Sequence, residues 1–171
     1  MRVVLQRCSH ASCTIDGEMI SKIGKGYCLL VGFCATDTEE IVQKMVKKIV
    51  NLRIFEDENG KMNESILAQS GSILSISQFT LYANSKKGNR PSFIEAARPE
   101  IAIPLYDRFN EVLSQFVPVP TGKFGADMKI ELCNDGPVTI VLDSGHLWHR
   151  ELRRHDPCAP LLRERPPQSC P

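Results

Sequence analysis

A proline at position 137 stands between two runs that read as strands, and it constrains what the end of this chain can become. Met128-Lys129-Ile130-Glu131-Leu132-Cys133 alternates in character, and Val138-Thr139-Ile140-Val141-Leu142 clusters apolar and β-branched residues, as sheet segments do. Proline has no N–H to give to a sheet ladder. Gly136-Pro137 is therefore expected in a turn that joins two strands. A Gly-Pro bond also reaches the cis isomer far more readily than other peptide bonds, so a rigid bend aiming two backbone carbonyls in one direction is open to this pair.

The other end of the chain is also strand-like. Residues 2–9 and 11–15 read as strands, Asp16-Gly17 as a hairpin turn, and residues 18–23 and 27–34 as two more strands, which predicts an antiparallel meander. Asp37 with Glu40 three residues on resembles a capping box, and Ile41, Val42, Met45, Val46 and Ile49 then share one helical face that ends near Asn51. Arg53–Glu56 reads as a short strand, Asp57–Gly60 as a turn, Ser72–Leu81 as a strand, and residues 83–91 as a loop. Pro99 suits a first helical turn, Leu105, Tyr106, Phe109, Val112, Leu113 and Phe116 follow at helix spacing, and Pro118, Pro120 and Gly122 stop that helix. Strands at both ends are expected to pair in one sheet system. The predicted fold is α+β: an antiparallel, barrel-like or two-layer sheet core with two main helices packed on one face.

With 171 residues the chain fits a single domain. Residues 1–143 carry the periodic patterns; residues 144–171 are rich in proline and arginine and are expected to be a flexible tail. No apolar run approaches the ~20 residues a membrane span needs, and the first residues are interrupted too early for a signal peptide, so a cytoplasmic address is expected. The seven cysteines form an odd set without Cys-x-x-Cys spacing, which speaks against a disulfide framework and a zinc ribbon. Cys8, Cys13, Cys28 and Cys133 stand among strand residues and read as small buried hydrophobes. His146, His149, His155 and Cys158 match no familiar zinc signature, and no metal or other cofactor is expected. The tail carries a net +2, which leaves −1 on the rest of the chain. A body so balanced does not hold long stretches of nucleic acid by charge, so any such contact should be local.

Conventional catalytic signatures are absent. Ser77 and Thr80 are the hydroxyl candidates, but the body offers no histidine to activate them apart from His10 at a strand end, and no glycine-rich phosphate loop is present. Chemistry here has to lean on backbone groups, bound water or the substrate itself. Four blocks then become informative together: Ser77-Gln78-Phe79-Thr80-Leu81, Lys87-Gly88-Asn89-Arg90-Pro91-Ser92-Phe93, Gly122-Lys123-Phe124-Gly125-Ala126-Asp127-Met128 and Asn134-Asp135-Gly136-Pro137-Val138-Thr139-Ile140. In this order and spacing, with the opening Met1-Arg2-Val3-Val4-Leu5-Gln6-Arg7, the chain closely resembles the D-aminoacyl-tRNA deacylases from residue 1 to about residue 143.

The resemblance implies hydrolysis of the ester that joins a D-amino acid, or glycine, to the terminal adenosine of tRNA, with L-aminoacyl-tRNA spared. It implies a homodimer with active sites at the subunit interface, where Gly136-Pro137 of one subunit would be cis and would enter the partner's site as a chirality gate, its carbonyls holding the substrate's α-amino group. Arg7 would steady that bend. Ser77, Gln78, Phe79 and Thr80 would lie beside the scissile ester, with backbone N–H groups near Phe79 and Thr80 suited to an oxyanion and Gln78 and Phe79 suited to the terminal adenine. Lys86, Lys87 and Arg90 are natural contacts for acceptor-stem phosphates of the aminoacyl-tRNA 3′ end. Two nucleophiles stay open, Thr80 itself and a water assisted by the ribose 2′-OH, and the lack of a base next to Thr80 favours the water. Every motif residue named is present, which favours an enzyme over a non-catalytic RNA-end binding module. Cys8 and Cys13 depart from the aliphatic residues usual in the family.

Overall fold

The main sheet is hung on one long strand, β1 (Arg2–Ile15), in a computed structural model that describes residues 1–148. After the turn at Asp16-Gly17, β2 (Glu18–Ile23) and β3 (Gly26–Gly32) run back along one edge of β1, end to end. The register that pairs Arg2 with Gly32 also pairs Ala11 with Ile23, and only Gly24 and Lys25 interrupt it. The expected meander is therefore one long hairpin. Asp16 and Gly17 both have positive φ, 51° and 83°, which two-residue hairpins use to match the twist of their strands. The expected break in β1 at residue 10 is absent: His10 is exposed yet pairs with Cys133.

Along the other edge of β1 runs a single strand, β7 (Lys129–Asp143), from Thr14 paired with Lys129 to Arg2 paired with Asp143. Gly136-Pro137 is thus not the turn between two strands that the sequence suggests. Residues 135–138 form a bulge opposite Arg7, between the pairs Gln6–Thr139 and Cys8–Asn134. Because β1 is long enough to pair with both halves, the chain continues in its original direction; residues looped out of the ladder owe it no N–H, so proline is tolerated there.

The sheet is also not wholly antiparallel. β6 (Ser72–Ser77) lies parallel to β3, from Gly26 paired with Ser72 to Val31 paired with Ser77. Residues 33–71 supply the crossover that parallel pairing demands, containing α1 (Glu39–Val50) and the two-stranded pair β4 (Arg53–Glu56) and β5 (Met62–Ser65). The N-cap of α1 is Thr38, whose side chain accepts from Ile41 N, rather than Asp37. Asp37 is engaged elsewhere, accepting from Cys34 N and from the Met1 amine.

Helix α1 buries Ile41, Val42, Met45, Val46, Ile49 and Val50, and α2 (Pro99–Ser114, with proline in its first turn) buries Ala102, Tyr106, Phe109 and Leu113. Both join Val3, Leu5, Tyr27, Leu29 and Val31 in one core on one face of the sheet; each such large aliphatic or aromatic side chain contributes roughly 1.5–3 kcal/mol by leaving water. The sheet curls so that its other face closes over a second core of Cys8, Ala11, Cys13, Ile23, Cys28, Leu74 and Ile76, with Ile130 and Leu132 of β7 packed against it. The architecture is the expected α+β, a curled mixed sheet in the form of a half-barrel with its main helices on one side. Cys8, Cys13 and Cys28 are buried as expected, whereas Cys133 is exposed, because Leu132 takes the inward position beside it on β7.

Ser144–Leu147 form a short helical turn, α3, and Trp148 packs against the first core. These residues belong to the segment expected to be a tail; the rest of it, with His149, His155 and Cys158, lies outside the described residues. No helix among the described residues is long and apolar enough to cross a membrane.

Candidate active site

The expected strand Ser72–Leu81 stops at Ser77 and gives way to a 3-10 turn at Phe79–Tyr82. Gln78 N donates to Val31 O at 2.7 Å, the last bond along the β3 edge, after which Leu81 N donates to Gln78 O at 3.4 Å and Ala83 N to Thr80 O at 2.9 Å. The turn can lie directly on the end of β3 because residue 32 is glycine: a Cβ there would stand 2.8 Å from Gln78 O and 3.2 Å from Leu81 Cβ. The N–H groups of Phe79 and Thr80 precede the first hydrogen bond of the turn and so find no acceptor within it.

Beside this turn opens a cleft of about 280 Å³ lined by Ile76, Ser77, Gln78 and Phe79 on one side and by residues 124–128 and Ile130 on the other. The second wall is brought there by residues 118–122, which run alongside β6: Ile73 N donates to Pro118 O at 3.0 Å, Ser75 N to Pro120 O at 3.1 Å and Gly122 N to Ser75 O at 3.0 Å. The Tyr106 hydroxyl of α2 donates to the same Ser75 carbonyl at 2.8 Å. Phe124, Ala126 and Met128 of the Gly122–Met128 block are wall residues that the sequence does not point to individually. Asp127, also at the cleft, pairs with Lys129 at 2.9 Å in solvent.

Of the residues singled out from sequence, Ser77, Gln78 and Phe79 line the cleft, and Thr80 sits exposed on the turn with its Oγ1 accepting from the Gln78 side-chain amide. The Phe79 ring is 56% exposed and meets Phe93 edge to face at 5.2 Å. Lys86, Lys87 and Arg90 are exposed on a loop whose base is closed by paired hydrogen bonds between Asn84 and Ser92, 2.8 and 2.9 Å. Phe93 follows that base directly, which sets the basic loop beside Phe79.

Gly136, Pro137 and Arg7 form a second group. The Gly136-Pro137 peptide is cis, Gly136 has φ +123°, and residues 135–137 are exposed. Arg7 is buried beneath them: Nε donates to Asp135 O at 3.1 Å, Nη1 donates to Ile54 O of β4 at 2.6 Å, and Nε lies 3.5 Å from the Asp135 carboxylate. Asn134, missed from sequence as a site residue, staples the bulge: its Oδ1 accepts from Val138 N at 3.1 Å and its Nδ2 donates to Thr139 Oγ1 at 3.0 Å. Burial pushes the nearby thiols up, Cys8 to about 11 and Cys28 to about 12, so neither is a thiolate nucleophile at neutral pH.

Within one chain the two groups do not meet. The bulge opposite Arg7 is level with Tyr27 and Ile73, whereas Ser77 pairs with Val31 opposite Val3, and neither Gly136 nor Pro137 lines the cleft, which β7 joins at Ile130.

The family model described as D-Tyr-tRNA(Tyr) deacylase matches residues 4–143. A D-aminoacyl-tRNA deacylase of Bacteroides fragilis (strain YCH46) is 62% identical over 146 residues, covering 84% of this chain and 97% of that protein. Its counterpart from Limosilactobacillus reuteri (strain DSM 20016) is 60% identical over 144 residues, with 84% and 99% covered. Among solved structures, one named c-Myc DNA Unwinding Element Binding Protein superposes with a TM-score of 0.79 at 46% identity, covering 84% of this chain and 98% of that one. A probable eukaryotic D-amino acid tRNA deacylase gives a TM-score of 0.72 at 19% identity, over 82% and 97%, a likeness of fold. Matched along the whole of its sheet and cleft, the chain belongs to the D-aminoacyl-tRNA deacylase family, enzymes that hydrolyse the ester between a D-amino acid and tRNA.

Proposed function

We propose that the protein proofreads chirality as a homodimer, with the Gly136-Pro137 bulge of one subunit reaching into the Ser77–Thr80 cleft of its partner. The observation that carries this reading is a mismatch of place: an exposed bulge is fixed by a buried arginine, yet neither Gly136 nor Pro137 lines the cleft of its own chain. A second copy resolves the mismatch. Gly136 and Pro137 carbonyls then hold the α-amino group of the substrate, an L side chain is driven into main chain, and a D side chain points away to solvent. Glycine has nothing to clash and is hydrolysed too.

In this arrangement the terminal adenosine enters the cleft, where Gln78 contributes hydrogen bonds and Phe79 a stacking face. The N–H groups of Phe79 and Thr80 stabilise the tetrahedral oxyanion, worth about 3–4 kcal/mol per donor in acyl transfer. Water adds to the ester carbonyl with help from the ribose 2′-OH; the bond to the 3′-oxygen then breaks and that oxygen takes the proton. Thr80 positions rather than attacks, since the group that its hydroxyl meets is an amide donor and not a base. Lys86, Lys87 and Arg90 meet acceptor-stem phosphates.

The test is hydrolysis of D-Tyr-tRNA, Gly-tRNA and L-Tyr-tRNA in the presence of chelator, by the wild type and by hybrid dimers that pair a Gly136→Ala subunit with a Thr80→Ala subunit. D-Tyr-tRNA and Gly-tRNA should be cleaved and L-Tyr-tRNA spared, and the hybrid should recover one intact site per dimer. Equal rates on the two enantiomers would sink the gate; a hybrid that shows the lowered D-to-L ratio of the Gly136→Ala parent, instead of the wild-type ratio, would place gate and cleft in the same chain.

A further inference from the structure

We infer that Arg2, locked to Asp143, is a positioning residue that holds the 3-10 turn at Phe79–Tyr82 in its working orientation. Its guanidinium reaches both of the last two residues of the turn: Nη1 donates to Leu81 O at 3.0 Å, and the plane lies 4.5 Å from the Tyr82 ring centre. On its other side Nε donates to Asp143 Oδ2 at 2.8 Å. Asp143 is fixed in turn by Gly145 N, which donates to Oδ1 at 2.8 Å, and Arg2 and Asp143 are cross-strand partners at the ends of β1 and β7. One side chain thus ties the turn to the main sheet.

Such support is needed where it is applied. A single 3-10 turn has poor internal hydrogen bonds, and here the first is 3.4 Å long. Carbonyls at the end of a helical turn lack partners within it, and Arg2 supplies one to Leu81. Only a planar guanidinium can serve two oxygens and an aromatic face together; a lysine ammonium at the same place keeps the charge and loses the geometry. With the far end of the turn fixed, the Phe79 and Thr80 N–H groups at its start keep a constant direction toward the cleft.

The inference rests on reading that turn as the catalytic segment, so the test includes Gly32→Ala, which presses on the turn directly. Steady-state kinetics on D-Tyr-tRNA and melting temperatures are measured for Arg2→Ala, Arg2→Lys, Asp143→Ala, the double variant Arg2→Ala/Asp143→Ala, and Gly32→Ala. Arg2→Ala should lower kcat about tenfold while KM stays within about twofold, since misplaced catalytic groups cost rate rather than binding. Arg2→Lys should melt with the wild type and still lose kcat several-fold, which keeps the test alive if Arg2→Ala folds poorly. The double variant should be no slower than Arg2→Ala. A wild-type kcat in Arg2→Ala beside a reduced one in Gly32→Ala would overturn the clamp alone; wild-type kcat in both would overturn the reading of the turn as well. A kcat loss that tracks the melting temperature and is restored with it by Arg2→Lys would reduce Arg2 to a structural strap.

Discussion

Two irregular stretches of main chain, the turn at Phe79–Tyr82 and the bulge at residues 135–138, are each held by an arginine of β1, and they are held differently. Arg7 under the bulge is 6% exposed and donates to two carbonyls, one in the bulge and one in β4; Arg2 at the turn is 35% exposed and donates to one carbonyl and one carboxylate. Losing Arg7 leaves two carbonyls without their charged donor beside the core, about 1.5–3 kcal/mol for each bond. Losing Arg2 removes a half-solvated pair, on the order of 1 kcal/mol or less. The turn compensates with a glycine floor, the bulge has none. Under the roles proposed for them, the segment that would resist a substrate pressing on it is braced from beneath by a buried charge, whereas the segment that would present N–H groups is seated by close contact with β3.

The largest effect should come from disturbing that contact. In Gly32→Ala the new Cβ would press on Gln78 O, a backbone atom, from 2.8 Å, so the turn has to move. A displacement approaching 1 Å at reacting groups costs up to about 100-fold, and kcat on D-Tyr-tRNA should fall by roughly 10- to 100-fold with the ratio of D to L rates unchanged. A changed ratio would mean that the turn, and not the bulge alone, reads chirality.

What could be read in the sequence follows the same division. Regular periodicity gave away α1, α2 and most strands, because burial on one face is recorded residue by residue. Non-local facts were hidden. That residues 2–9 and 11–15 form one strand is settled by β7, which pairs across exposed His10. That Pro137 escapes the ladder by a bulge instead of a turn depends on β1 being long enough to pair with both halves of β7. The parallel β3–β6 pair depends on where a distant crossover delivers the chain, and Asp37 gave up its expected capping role to partners at Cys34 and Met1. In the candidate site, Ser77, Gln78 and Phe79 stand out by their motif, and the structure places them at the cleft. The wall at residues 124–128 does not stand out, since Pro118 and Pro120 seat it through main-chain bonds to β6 that leave no mark in side-chain pattern.

A smaller effect, on selectivity rather than rate, is expected in the bulge. Gly136 has φ +123°, and a Cβ would stand 2.8 Å from Val138 Cγ2 and 3.0 Å from Arg7 Nη2. Backbone strain of about 1–3 kcal/mol falls on the residue proposed to exclude L side chains. Gly136→Ala should lower the ratio of D-Tyr-tRNA to L-Tyr-tRNA rates by about tenfold, because a strained bulge samples displaced positions that admit the wrong enantiomer. An unchanged ratio would remove the bulge from chiral selection.

The smallest effect separates the two arginines without measuring catalysis. Cys8, next to Arg7 in β1, is buried and its thiol is pushed up to about 11, so at pH 8 only on the order of one molecule in a thousand carries the reactive thiolate. Alkylation with peptide mapping should find exposed Cys133 modified and Cys8 protected in the wild type. If Arg7 braces the bulge and Arg2 does not, Arg7→Met should open the β1–β7 pairing near Cys8 often enough to raise its labelling several-fold through local unfolding, while Arg2→Ala leaves it at the wild-type rate. Equal labelling of Cys8 in the two variants would show that the bulge and the turn loosen together, and the separate bracing of the two segments would have to be given up.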